Sequence, residues 1–232
     1  DYNKYKDDKC SCCFPILRHL FGGYGKYKGE RFYEYLGELV EDRVGNKDIT
    51  FANLYNLTHI DLVVTGTNLN KKRVDYFHRN CSPNMSVRQA VRISACFPLY
   101  FDAVTYNECL YTDGGTLNNF PLDVFDRDDN GILENSIVGF KLLSSDEVPT
   151  DELYIGDTEI EGVDDFIYAI VHSLTLENDR LRQRLTDREY KRTIPIYTGE
   201  ISTLDTDITD LQREVLYRQG RKASVKFLEK ST

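Results

Sequence analysis

No run of apolar residues in this 232-residue chain approaches the roughly 18 that a membrane-crossing helix needs, so none is predicted. No apolar signal segment opens the chain, and the first residue is Asp1, not Met. The expectation is a fragment, a processed chain or the ordered part of something longer. Proline and glycine number only 6 and 15, too few for a Pro/Gly-dominated chain. Positive charge is in the minority. Lysine and arginine total 29 against 38 acidic residues, for a net charge of −9. Generic binding to a nucleic-acid backbone needs the opposite sign, so no nucleic-acid partner is expected. There is no P-loop and no dinucleotide fingerprint, and no internal repeat. His19, His59, His78 and His172 have no ligand-like spacing to one another or to a cysteine. Cys10-x-Cys12-Cys13 with His19 is only superficially zinc-like, because a tetrahedral site needs four well-spaced ligands. No metal and no cofactor is expected.

What is present fits a globular chain: 41% hydrophobic and 29% charged residues, with ample length for one large domain or two small ones. Six cysteines stand at 10, 12, 13, 81, 96 and 109. Adjacent Cys12 and Cys13 suit a disulfide framework poorly, which favours a reduced, cytoplasmic setting. The even count leaves secretion open. The sequons at Asn56, Asn80 and Asn84 carry little weight without a signal segment. Arg180 to Arg192 holds a local run of basic residues.

Periodicity predicts short strands interleaved with helices, an α/β domain. Residues 30–44 carry a one-sided helical stripe, Phe32, Tyr35, Leu36, Leu39, Val40 and Val44. A short helix capped at Thr50 is expected within 49–57, and another over 86–95 with Ser86 as its N-cap. Strands are expected at 60–65, 73–78, 109–112, 137–142 and 193–197, with 66–70 turning the first of them. Pro121 opens a short helix. Residues 144–162 read as an acidic surface excursion. Residues 163–189 read as a helix with Phe166, Ile170, Val171, Leu174, Leu181 and Leu185 on one side. A last helix over 208–229 is expected to be interrupted or bent at Gly220.

The sharpest local feature is Cys109-Leu-Tyr-Thr-Asp113-Gly114-Gly115-Thr-Leu-Asn118-Asn119-Phe-Pro121. Two glycines after an aspartate allow positive φ and close backbone approach at a carboxylate. The end of a strand in an α/β fold is where such a group meets a substrate. By itself the triplet also reads as an Asp-Gly turn. Its surroundings add to it. Arg88 to Phe101 (RQAVRISACFPLYF) precedes it by twelve residues. Gly25-Lys-Tyr-Lys-Gly29, Leu62 to Leu69 and Val74 to Phe77 stand upstream. In this order the segments resemble the patatin-like phospholipase family, over roughly residues 20–230.

The resemblance implies a three-layer α/β/α domain with a mainly parallel central sheet, and an acyl-ester hydrolase acting on phospholipid or another acyl lipid. It implies a Ser-Asp dyad in place of a triad. Asp113 maps to the aspartate, supported by Gly114, Gly115 and Asn119. No G-x-S-x-G occurs in the chain, and no Asp-Gly-Gly-Gly loop precedes the first matched segment. The expectation is therefore a C-terminal portion of one patatin-like domain, residues 1–232, incomplete at the N-terminal side, with residues 1–20 poorly matched. On that expectation the chain holds only the aspartate half of the dyad. It is inactive alone, and its partner is the missing N-terminal segment of the same protein. A non-catalytic structural or interaction protein is the alternative.

Other side chains carry open readings. Arg88 and Arg92, one helical turn apart, face a phosphate, an acidic partner, solvent or an internal salt bridge. Ser94 packs or caps, and Ser144 and Ser145 are exposed. Phe14, Phe21, Tyr24 and Tyr27 form either a peripheral membrane contact or ordinary core.

Overall fold

A computed structural model of the chain describes residues 24–125, 137–144, 160–182, 191–199, 201 and 208–231. The cysteines at 10, 12 and 13, His19, Phe14, Phe21, Ser145, Arg184, Arg188 and most of the acidic excursion lie outside the described residues. The chain divides into two compact units, one of residues 2–119 with 161–175, the other of 120–160 with 176–232.

The first unit begins with strand β1 (Gly25–Tyr27) and helix α1 (Glu30–Val44). Left-handed Gly29 (φ 78°) and Gly45 (φ 74°) bracket α1, with Glu30 in its first turn and Arg43 in its last, matching the helix dipole. Helix α2 (Phe51–Thr58) starts where Thr50 Oγ1 accepts from the Asn53 N–H at 3.3 Å. Helix α3 (Val87–Ser94) starts where Ser86 Oγ accepts from the Gln89 N–H at 3.4 Å. Both caps stand where the sequence placed them.

Four strands form the main sheet of this unit: β2 (Val64–Asn68), β3 (Arg73–Phe77), β5 (Val104–Tyr106) and β6 (Cys109–Asp113). Their order is β3-β2-β6-β5, and every pair is antiparallel. The expected mainly parallel sheet is thus corrected. The reason lies in the connections. β5 and β6 are joined by two residues, Asn107 (φ 46°) and Glu108 (φ 60°), and β2 and β3 by four. Loops this short reverse the chain, whereas a parallel crossover needs a dozen residues or more. The register of β2 is also corrected. The strand starts at Val64, four residues later than expected, and Gly66 lies inside it, not in the turn. The glycine is needed there, because a Cβ at Gly66 would sit 2.7 Å from Ile93 Cγ2 and 2.8 Å from Phe77 Cε2. Its absence lets α3 lie directly on β2. Parallel pairing does occur between β1 and β4 (Leu99–Phe101), a strand not foreseen.

The core of the unit joins Ile49, Phe51, Phe77, Met85, Val87, Ala90, Ile93 and Tyr111. A second cluster holds Tyr27, Cys96 and Phe101. Tyr27 is 4% exposed, its ring 5.0 Å from that of Tyr100, so it is core and not membrane contact; Tyr24 is exposed. Beneath the sheet a polar knot holds register. Asn68 Nδ2 donates to Asp75 at 2.9 Å and to Tyr111 Oη at 3.0 Å, and Tyr111 donates to Asp75 at 2.9 Å. Burial and this bond to Asp75 push the Tyr111 hydroxyl up to about 12.

In the second unit a 3-10 turn (Leu122–Phe125) precedes β7 (Gly139–Ser144), which pairs in parallel with β8 (Thr193–Gly199). Helix α6 (Asp210–Ser231) runs unbroken through Gly220, which corrects the expected interruption; Ile196 Cδ1 would lie 3.9 Å from a Cβ there. Between these in sequence, helix α5 spans Val163–Arg182, with Phe166, Ile170 and Leu174 exposed. Among the described residues no helix is long and apolar enough to cross a membrane.

Candidate active site

Asp113 is the last residue of β6, and α4 (Gly115–Asn118) starts two residues later. Strand and short helix together hold the carboxylate at a strand end. Its backbone is anchored from the other side. The Asp113 N–H donates to the Cys96 carbonyl at 2.9 Å, and Thr112 Oγ1 donates to the same oxygen at 2.6 Å. The segment leaving α3 is thereby tied to the strand that ends in Asp113.

Among the described residues one hydrogen bond reaches the carboxylate, from the Gly115 N–H to Oδ1 at 2.7 Å. That bond favours the ionised form. Burial disfavours it and dominates, pushing the Asp113 carboxyl up from 3.8 to about 6. A carboxylate near 6 is a far better proton acceptor than an ordinary aspartate and is still mostly ionised at neutral pH.

The two glycines act through space, not through backbone conformation. Gly114 has φ −61°, an ordinary helical value, which corrects the expectation of a left-handed turn. A Cβ at Gly114 would collide with Thr65 Oγ1 and lie 2.8 Å from the Thr65 carbonyl carbon. At Gly115 it would meet Asn119 Oδ1 at 2.7 Å and Asp113 Oδ1 at 3.1 Å. The Asn119 amide and the Asp113 carboxylate thus converge on Gly115. Asn119 is itself exposed, whereas Asn118 is 3% exposed and its Oδ1 is buried without a partner.

The remaining candidates separate. Arg88 makes internal ion pairs, Nη2 to Asp48 at 2.7 Å and Nη1 to Glu34 at 3.4 Å. Arg92 donates to the backbone carbonyls of Lys28, Gly29 and Asp102. Ser94 lies in the last turn of α3. Cys81, Cys96 and Cys109 are free thiols, and burial pushes Cys96 up. No group of three or more metal-ligating side chains occurs among the described residues. A cleft of about 550 Å³ is lined by Lys28, Gly29, Tyr33, Gln89, Arg92 and Val104 among others; Asp113 is not part of its wall.

The fold is that of an α/β protein with a carboxylate at a strand end. The chain belongs to the patatin-like phospholipase family, whose model matches residues 2–126. It is 25% identical over 205 residues to the uncharacterized protein R571 of Acanthamoeba polyphaga mimivirus, covering 88% of this chain and 65% of that protein. It is 30% identical over 100 residues to the probable lipid hydrolase 463L of invertebrate iridescent virus 6, covering 43% of this chain and 34% of that protein. The chain therefore spans less than two thirds of the length of either curated relative. A fold match to VipD from Legionella pneumophila covers 92% of this chain and 39% of that one, at a TM-score of 0.52 and 19% identity.

The family match overturns several expectations. It starts at residue 2, so the N-terminal region is inside the matched span. The chain is not a C-terminal portion carrying only the aspartate half of the dyad. The α/β/α class stands, with the N-terminal region inside the matched span. A missing N-terminal segment is likewise withdrawn as a partner, and with it the expected inactivity of the chain alone. The physical reason is that Gly25–Glu30 is a strand–turn–helix, β1 running into α1 through left-handed Gly29, which is the form of a nucleophile elbow. The pentapeptide Gly25-Lys26-Tyr27-Lys28-Gly29 keeps the two glycines of the G-x-S-x-G pattern, with Tyr27 at its centre.

Proposed function

We propose that the protein hydrolyses acyl esters of phospholipids or related lipids, with Asp113 as the general base. The observation that carries this reading is the half-buried placement of Asp113 at a strand end, with its carboxyl raised to about 6 by desolvation and one hydrogen bond upon it among the described residues. In this reading Asp113 takes the proton of a hydroxyl that attacks the acyl carbonyl, the ester C–O bond breaks and the alcohol leaves with that proton, and Asp113 then takes a proton from the water that hydrolyses the acyl-enzyme. Gly114 and Gly115 admit the close packing that fixes it, and Asn119 holds the loop. The name of the iridescent-virus relative and the family description support the lipid substrate class. Cytoplasmic placement with peripheral contact to a lipid surface belongs to the same reading.

The test is hydrolysis of a fluorogenic phospholipid by the chain and by Asp113→Asn, with a fluorophosphonate probe to mark the nucleophile by mass spectrometry. Loss of turnover and of labelling in the variant supports the reading. Full turnover in Asp113→Asn refutes it. One observation favours the alternative of a non-catalytic lipid-binding or interaction protein: Tyr27, buried among rings, occupies the centre of the Gly25–Gly29 turn. Vesicle binding without turnover or labelling in the unaltered chain decides for that alternative.

A further inference from the structure

Arg88 and Arg92 stand one turn apart on α3 and are both buried, 7% and 5% exposed. They are held in different ways. Arg88 has two carboxylates, Asp48 and Glu34, and lies over the Tyr33 ring at 4.2 Å. Its charge is compensated. Arg92 has no carboxylate partner among the described residues. Its Nη2 donates to the Lys28 carbonyl at 2.7 Å and the Asp102 carbonyl at 3.3 Å, and its Nε donates to the Gly29 carbonyl at 3.3 Å. The guanidinium lies over the Phe101 ring at 4.9 Å, and Nη1 is buried with no partner.

A buried charge without a counter-charge is costly, and an orphaned donor adds to the cost. An apolar side chain of similar volume would serve packing better. What Arg92 supplies is geometry. A planar, rigid fork grips three carbonyls from two chain segments, the turn after β1 and the loop after β4. The turn is shaped to receive it: a Cβ at Gly29 would lie 2.6 Å from Arg92 Cζ. The helix that carries the fork leads within two residues of its end to Cys96, whose carbonyl receives the Asp113 N–H and the Thr112 hydroxyl.

We infer that Arg92 is a positioning residue that locks the Gly25–Gly29 turn in register with Asp113, through α3 and the Cys96 carbonyl. Its effect on turnover rests on the hydrolase reading; its effect on the turn does not. Lysine keeps the charge and loses the fork. Well below the melting transition, Arg92→Lys is expected to lower kcat by roughly ten- to a hundredfold, with KM within about twofold. The acid limb of the pH profile stays in place, because the contacts of the Asp113 carboxylate are untouched. Amide hydrogen exchange over residues 25–33 accelerates about tenfold or more, while residues 109–119 keep their protection. Arg92→Gln removes the uncompensated charge, folds at least as readily, and carries the same signature. Arg79→Lys, at an exposed pair with Asp61, changes neither readout.

Native kcat together with unchanged exchange over 25–33 overturns the proposal. So does acceleration spread evenly over the unit, which marks a general structural role. An unaltered chain with no turnover removes the hydrolase reading, and the exchange pattern still decides for or against the clamp.

Discussion

Replacing Asp113 by asparagine is expected to stabilise the protein and, on the proposed function, to abolish turnover. Burial raises the carboxyl from 3.8 to about 6, so the folded chain holds this proton more tightly than the unfolded chain does. The stability contributed by that proton is fully present below about pH 3.8. It is lost as pH rises through about 6. At pH 7 the fold carries the whole cost of a buried carboxylate. At about 1.36 kcal/mol per pH unit over the interval from 3.8 to about 6, the cost is at most about 3 kcal/mol. Asparagine is neutral in both states, and its Oδ1 can still accept the Gly115 N–H. Asp113→Asn should therefore gain up to about 3 kcal/mol at pH 7 and no more than about 0.5 kcal/mol near pH 4. Urea unfolding followed by circular dichroism at the two pH values measures both gains. In the unaltered protein, kcat/KM should fall on an acid limb near pH 6, as the base takes up its proton. A variant no more stable than the parent at pH 7, or a gain that does not shrink toward pH 4, refutes the burial argument.

Two further substitutions test the local geometry. Gly114→Ala drives a Cβ into Thr65; overpacking of this kind costs about 1–3 kcal/mol, and turnover should fall at least tenfold as the strand end shifts. A variant with native melting temperature and native turnover contradicts the close approach. Glu108→Gly relieves a side chain held at φ 60° in the two-residue β5–β6 turn, making it Asn-Gly. A gain of about 0.5–1 kcal/mol and a rise of a few degrees in melting temperature are expected, with kinetics unchanged; a lower melting temperature refutes it.

The legible parts of the molecule are those with local causes. Helix α1 runs over 30–44 because its apolar spacing and flanking glycines act within the segment. Thr50 and Ser86 cap where they were placed because a cap is a contact between a side chain and an N–H three residues on. Misreadings fall where distant contacts decide. Residues 60–65 were expected as the strand, but pairing with β3 begins at Val64 and with β6 at Gly66. Gly66 looked like a turn and proved to be the hole into which Ile93 and Phe77 pack.

By itself the sequence determined helices α1, α2 and α3, the caps of the last two, the strand leading into Asp113 and the segments that resemble the patatin-like family. Each is a short-range pattern of side chains. Only the tertiary structure decided the antiparallel order of the main sheet, the desolvation that raises the Asp113 carboxyl, and the grip of Arg92 on the Gly25–Gly29 turn. Those depend on residues far apart in the chain, such as Cys96 with Asp113 and Arg92 with Lys28. Their contacts come into being only when the chain closes on itself.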